Sequence, residues 1–596
     1  MNDAKAEKKE ITFYGIPASP GIAFGEAFVV NVEDMSVPEE HVSVDQVDDE
    51  IRKFHEALEQ TEREIKKLVR SLEEEIGEEH GKILDSHRMI LSDELFRNET
   101  IKTIKENKVT AAFALNTVLD KVLATFAAIK DEYLKERTED IRDVRRRVLR
   151  NLMGQQAEGL SNLRRKAVVV ARSLTPSDTA GLNKKYVAAF ITDAGGSTSH
   201  AAILARSQGI PSVVGLNDMV KHVKPYDQLI VDGITGQVVL NPTAETVHLY
   251  REVQARYREL EKELLTLRDF PAVTLDGHSI ELSANIETAD EVADVMSHGA
   301  HGIGLFRTEY FFITRSALPS EEEQYRYYAS VVKRIPADPV IIRTLDVGGD
   351  KIARWVGDLR EANPFMGWRG IRFTLARKDI FRTQLRAIFR ASAHGNVKIM
   401  FPMVSVLDEV RSAKQLCEEV KDDLKRERYQ IGENAEIGIM IETPSAVAIA
   451  DLLAREVDFF SVGTNDLIQY ALAVDRGNAK ISYLYDVLHP SILRLLRDTV
   501  TAAHKHKIWV GICGEMPGSV HGALLLLGLG LDEFSAASYL IPTIKKIVRS
   551  VTYDEARALV RKTLTMGTAR EVREHVERFI HEKRPELREF LPEAAS

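Results

Sequence analysis

The sequence predicts an α/β multidomain protein: an α/β domain interrupted by a helical bundle, then a linker helix, then a C-terminal (β/α)₈ barrel. Three observations lead there. Beyond Pro271, short apolar strands alternate with helical segments through the rest of the chain. Between residues 44 and 153 the chain is almost free of Gly and Pro and places apolar residues every three or four positions, the period of amphipathic helices. Finally, a glycine-rich turn at 193–206 joins a strand to a helix and presents a single histidine, His200.

From Ile11 to Val30 the chain is β-rich and punctuated by Gly and Pro, as short strands and turns require. Strand character resumes at 166–172, 186–192 and 228–240, so the bundle at 44–155 splits one α/β domain into the pieces 1–43 and 156–242. Residues 243–270 read as one linker helix with heptad-like Leu249, Tyr257, Leu260 and Leu264; a coiled-coil seam is the alternative. The barrel, 271–596, has apolar strands at 280–286, 302–306, 340–345, 397–401, 437–441, 459–462 and 508–512, with a less obvious eighth near 370–373.

Composition narrows the function classes. A chain of 596 residues with 44% hydrophobic and 29% charged residues can bury several cores, and a net charge of −10 argues against a nucleic-acid binder with a basic face. The two cysteines, Cys417 and Cys513, make no disulfide framework, which fits a reducing compartment. The polar N-terminus carries no secretion signal, and the longest apolar run, 523–531, is too short to cross a bilayer, so a cytoplasmic protein without membrane insertion is expected.

At the glycine-rich turn, Gly195 and Gly196 let an oxyanion approach, Thr198 and Ser199 supply hydroxyls and a helix cap, and His200 sits at the helix start. Amide hydrogens and the positive dipole end there favour phosphate, which makes His200 a phosphoryl acceptor. At the predicted strand ends of the barrel stand Arg307, Arg343 with Asp346, Arg369 with Arg372, Glu442, Asn465 with Asp466, and Cys513 with Glu515, while Arg476 adds to the set. Converging guanidinium groups suit a small substrate bearing phosphate and carboxylate. Glu442 and Asp466 follow consecutive strands and could share one hard divalent cation, Mg²⁺ being favoured. Cys513, placed at the end of the eighth predicted strand, is a proton donor for a carbanionic product, whereas Cys417 lies in the predicted helix 407–427 and receives no role.

These residues stand in stretches that resemble the enzyme I family, the phosphoenolpyruvate-protein phosphotransferases of the sugar phosphotransferase system. The matching stretches are 19–22, 132–137, 195–200, 304–309, 343–351, 363–372, 441–444, 463–467, 474–478 and 513–515, in the family's order and nearly end to end. The resemblance implies that His200 is the phosphorylated nucleophile. It implies that Arg307, Arg343, Arg369, Asn465, Asp466 and Arg476 bind phosphoenolpyruvate, that Glu442 and Asp466 coordinate Mg²⁺, and that Cys513 protonates the enolate to give pyruvate. It implies further that the α/β domain is a swivelling phosphohistidine domain, that the bundle docks the phosphocarrier HPr through residues 83–94, and that the barrel forms a homodimer.

The chain departs from the family at Ser197, where Arg or Lys is common, at Pro517 to Ser519, and at Ala536. None of these removes a carried-over ligand. The nitrogen-regulatory branch of the family shares the same motifs and stays open. Pyruvate phosphate dikinase and phosphoenolpyruvate synthase carry an ATP-binding domain for which this chain shows no glycine-rich nucleotide loop. A catalytically silent paralogue is the reading from another class, and the intact His200, Glu442, Asp466 and Cys513 speak against it.

Overall fold

The computed structural model of the chain describes every residue except 1–8, 31–36, 77–89, 128–131, 155–162, 175–183, 196–200, 203–204, 206–208, 314, 316, 349–360, 362, 433–434, 476–477, 479 and 592–596. The chain divides into two compact units, Met1–Leu260 and Glu261–Ser596.

The first unit holds a mixed sheet built from β1 (Ile11–Tyr14), β2 (Ile16–Ser19), β3 (Ile22–Val29), β4 (Ala167–Ala171), β5 (Val187–Thr192), β6 (Ser212–Val214), β7 (Gln228–Asp232) and β8 (Gln237–Leu240). Its order is β1-β8-β7-β3-β4-β5-β6-β2, with β3 to β6 parallel and the remaining pairs antiparallel. The wholly apolar runs of β4 and most of β5 are buried throughout, as strands covered on both faces must be. β6 escapes sequence reading because three residues give too short a period to detect. Between β7 and β8, Asp232 accepts hydrogen bonds from the Ile234 amide (2.8 Å) and the Thr235 hydroxyl (2.7 Å). Gly236 completes that turn at φ +80°, where a Cβ would sit 2.4 Å from the Gly15 carbonyl.

The inserted block consists of helices Val47–Ile76, Glu94–Asn107, Ala111–Ala127 and Glu132–Leu152 around a core that includes Phe54, Ile65, Ile104, Leu115, Val144 and Val148. Glu50, almost buried, accepts from the Ala111 amide at 2.8 Å and so satisfies the start of the third of these helices. The helix Ala244–Thr266 follows. Val247, Tyr250 and Val253 pack against Ile22, Ile230 and Val239, while Leu249 is 57% exposed. The apolar stripe of the helix is therefore a docking face for the sheet rather than a coiled-coil seam.

The second unit is a closed parallel barrel of β9 (Glu281–Ile286), β10 (Ile303–Phe306), β11 (Val340–Arg343), β12 (Val397–Phe401), β13 (Ile437–Ile441), β14 (Phe459–Val462), β15 (Trp509–Ile512) and β16 (Glu533–Ala536). One expected strand is wrong. Residues 370–373 begin the helix Ile371–Ala376, entered through Gly370 at φ +57°, and their apolar alternation serves a helix face that buries Ile371, Phe373 and Thr374. The eighth strand is β16, whose Glu-Phe-Ser-Ala sequence lacks an apolar run, so Cys513 follows the seventh barrel strand and not the eighth.

Glycines make room inside the barrel for large neighbours on the adjoining strand. Gly438 pairs with Phe459, and a Cβ on it would lie 2.4 Å from that ring; Gly511 pairs with Glu533, and a Cβ there would meet Oε2 at 2.4 Å. Glu533 is 5% exposed and burial pushes its carboxyl up to about 7, with the Ser283 hydroxyl and Lys398 acting in the opposite direction. A raised carboxyl favours the fold below its unfolded value of about 4.3. That contribution is lost as pH rises through the folded value. Glu533→Gln should therefore gain about 1–3 kcal/mol on the parent between pH 5 and pH 8 in denaturant unfolding of the barrel transition. Equal differences at both pH values would contradict this account of the buried acid.

Candidate active site

All eight strands run the same way, so their C-terminal ends open on one mouth, and the loops there carry the polar side chains. Arg307 follows β10, Arg343 closes β11, Glu442 follows β13, and Cys513 follows β15. Asn465 and Asp466 lie in the first turn of the helix Thr464–Leu472, directly after β14. Arg369 reaches the mouth from the loop before Gly370, where its backbone bridges to Gly348.

Two buried guanidinium groups share one carboxylate. Arg343 lies 3.2 Å from Asp346 and 3.1 Å from Glu309, and Arg369 grips Asp346 through two hydrogen bonds of 3.2 and 2.9 Å while reaching Asp466 at 3.4 Å. Burial alone would pull both guanidinium groups down, but the carboxylates outweigh it and hold them above their ordinary range. Arg307 pairs with Glu287 at 2.8 Å. Asn465 donates to Glu515 at 3.1 Å and its carbonyl accepts from the Glu515 amide at 3.4 Å. Arg372 turns elsewhere, donating to Ser405 at 2.8 Å and to the Met366 and Gly367 carbonyls at 3.2 and 3.3 Å.

Sequence reasoning missed Glu287, Glu309 and Tyr470, whose hydroxyl oxygen accepts from Arg369 Nη1 at 3.4 Å. Glu309 had a usable signal, since it lies two residues beyond Arg307 in a stretch already singled out; Glu287 and Tyr470 had none in spacing alone.

Glu442 is buried, its Oε1 accepting from the Met403 amide at 2.6 Å. Its Oε2 lies over Gly463, where a Cβ would stand 2.8 Å away, so the glycine leaves space for that oxygen. Burial pushes the Glu442 carboxyl up, Asp466 and Asp346 push it further, and Arg343 and Arg369 oppose them. Among the described residues no cluster of three or more His, Cys, Asp or Glu is arranged to hold a metal. Two hard carboxylates on consecutive strands, one with an oxygen over a glycine, nevertheless fit a cation that completes its shell with water and substrate oxygens, as Mg²⁺ does.

Cys513 is 3% exposed, packed with Leu305, Ile341, Met400, Met440 and Phe459. Its thiol donates to the Val462 carbonyl at 3.7 Å, and Asn285 donates to the Cys513 backbone carbonyl at 3.1 Å. Burial pushes the thiol up to about 11, against the pull of Ser461 and Arg343, which keeps it a proton carrier. Cys417 is buried on the helix Leu407–Arg426 and burial pushes it up to about 12.

His200, Ser197 and Arg476 lie outside the described residues. What leads into the His200 segment is described: β5 ends at Thr192, Asp193 accepts from the Met219 and Val220 amides at 2.7 and 3.1 Å, and Gly195 has φ +102°. Residues 83–89 of the expected partner helix also lie outside, and Leu91 of that stretch is buried in the bundle core.

Comparison with known proteins sorts the chain into three matching stretches. The PEP-utilising enzyme N-terminal domain matches residues 14–137, the PEP-utilising enzyme mobile domain 163–236, and the PEP-utilising enzyme PEP-binding domain 261–553. A phosphoenolpyruvate-protein phosphotransferase of Haemophilus influenzae is 43% identical, covering 95% of this chain and 99% of its own. The protein of that name from Staphylococcus carnosus is 42% identical over 95% of this chain and 98% of its own. A solution structure of an Enzyme I (nEIt) protein is 43% identical, covers 41% of this chain and 99% of its own, and superposes with a TM-score of 0.35.

A thiol held near 11 presents little thiolate. In the folded protein at pH 8, Cys513 should be alkylated by iodoacetamide about a hundredfold more slowly than a free cysteine, as read by peptide mass mapping. Labelling at the free-thiol rate would contradict the protonated state assigned to it.

Proposed function

The chain belongs to the phosphoenolpyruvate-protein phosphotransferase family, and from that premise we propose that it moves the phosphoryl group of phosphoenolpyruvate onto its own His200. From there the group passes to a histidine of an HPr-like phosphocarrier, and pyruvate is released. The observation that carries this reading is the gathering of Arg307, Arg343 and Arg369 with Glu442, Asp466 and the protonated Cys513 around one barrel mouth.

In this reading the guanidinium groups of Arg307, Arg343 and Arg369, with Arg476 and Asn465, bind the phosphate and carboxylate of the substrate. Glu442 and Asp466 would hold Mg²⁺, which supplies positive charge against the phosphoryl oxygens. A neutral imidazole nitrogen of His200 attacks phosphorus, the P–N bond forming as the P–O bond to the enolate breaks. Cys513 gives its proton to the enolate carbon, and the resulting thiolate is reprotonated from solvent. Because one imidazole must visit both the substrate and the carrier protein, the α/β domain, 1–43 with 156–242, acts as the moving carrier. The bundle, 44–155, is the docking element for the phosphocarrier, 243–270 the linker, and 271–596 the substrate domain, which pairs in a homodimer. No helix among the described residues is long and apolar enough to cross a membrane, and both cysteines are free.

Incubation with radiolabelled phosphoenolpyruvate tests this directly. With Mg²⁺ present the chain should take up label that survives alkali and is lost in acid; chelation by EDTA or the substitution His200→Ala should abolish it. No uptake by the unaltered chain would favour the silent paralogue, and uptake by His200→Ala would move the phosphoryl site elsewhere.

A further inference from the structure

Arg369 sits at the end of a loop whose exposed tip has little packing of its own. Phe365 and Met366 in the short turn Pro364–Met366 are 55% and 64% exposed. Three successive carbonyls of this turn are nevertheless bonded. Arg372, five or six positions along the chain, takes those of Met366 and Gly367, a local arrangement that travels with the loop. The carbonyl of Phe365 is taken by the hydroxyl of Tyr470, which is 105 positions away.

Tyr470 stands on the helix Thr464–Leu472, one turn beyond Asp466 and on the same face. Its oxygen also accepts from Arg369 Nη1 at 3.4 Å and lies 3.9 Å from the Met403 sulfur. The other terminal nitrogen of the same guanidinium, Nη2, reaches Asp346 at 2.9 Å and Asp466 at 3.4 Å. One phenol thus fastens the tip of the loop and the guanidinium at its end to the helix that carries Asp466. The phenol is half-buried, and burial pushes it up to about 12, Arg369 opposing, so it stays a donor at any working pH.

We propose that Tyr470 is a positioning residue: its hydroxyl locks the Phe365 carbonyl and seats the Arg369 guanidinium between Asp346 and Asp466, in the place where it meets substrate. The proposal rests on the reading of Arg369 as a substrate ligand. Tyr470 touches no reacting atom. Its loss acts on how well an arginine is presented, in ground state and transition state alike, and that raises KM while sparing kcat. A substitution that merely loosened the barrel would lower stability and the active fraction, and so kcat, without this split.

The full chain with Mg²⁺ and phosphoenolpyruvate serves as the test, with Tyr470→Phe and Arg369→Lys compared against the parent. Tyr470→Phe should raise KM for phosphoenolpyruvate about tenfold with kcat within about twofold. Its melting temperature should be unchanged, and the amides of residues 365–369 should exchange with deuterium about tenfold faster. Arg369→Lys should raise KM at least as much while leaving that exchange as in the parent. If Arg369→Lys raises KM and Tyr470→Phe does not, the proposal is overturned whatever the exchange rates. If Arg369→Lys leaves KM alone, the substrate reading of Arg369 fails, and parent-like exchange in Tyr470→Phe then overturns the tether as well.

Discussion

Asp346 is the residue on which the barrel mouth depends. One carboxylate, 3% exposed at its side chain, bridges two arginines that are each 11% exposed, and so holds together two guanidinium groups that would otherwise repel. Burying charge is costly unless each ion finds a partner, and a structure that removed Asp346 would leave Arg343 to Glu309 and Arg369 to Asp466, with no carboxylate shared between the two guanidinium groups. Glu309 and Asp466 complete the lattice from β10 and β14, so loops from three strands are held in register by charge as well as by backbone. Such a lattice is preorganised: its guanidinium donors are already aimed and already desolvated.

The lattice also holds more negative than positive charge. Among the described residues at the mouth, Arg307, Arg343 and Arg369 face Glu287, Glu309, Asp346, Glu442 and Asp466. The excess is concentrated on Glu442 and Asp466; burial pushes the Glu442 carboxyl up, and Asp466 and Asp346 add to that push. A divalent cation held by Glu442 and Asp466 would cancel that surplus and so let a polyanionic substrate approach the arginines. This is a physical reason for phosphoenolpyruvate and Mg²⁺ to bind as a pair.

Much of this was legible in the sequence, for reasons that differ by element. The Ala167–Ala171 and Ile437–Ile441 runs announce buried parallel strands because nothing but apolar residues stands in them. Arg307, Arg343, Glu442 and Cys513 could be placed because each lies at a strand end, where a barrel puts its chemistry. β16 was not legible because it opens on Glu533 and carries Ser535 in place of an apolar run, and only the register shows that Gly511 on the neighbouring strand makes room for the Glu533 side chain. The strand expected near 370–373 groups Arg372 with the mouth, but that segment is a helix and turns Arg372 toward Ser405 and the carbonyls of the turn. Tyr470 was invisible because its meaning lies in a contact with a carbonyl far away along the chain, which periodicity does not record.

The central claim is that an arginine lattice with surplus carboxylate binds phosphoenolpyruvate together with Mg²⁺. Isothermal titration of the full chain with phosphoenolpyruvate, with and without Mg²⁺ and in Glu442→Gln, tests it most directly. The account predicts binding that tightens at least about tenfold when Mg²⁺ is present, and a loss of that gain in Glu442→Gln. Equal affinity with and without the metal, or a metal effect untouched by the substitution, would contradict it.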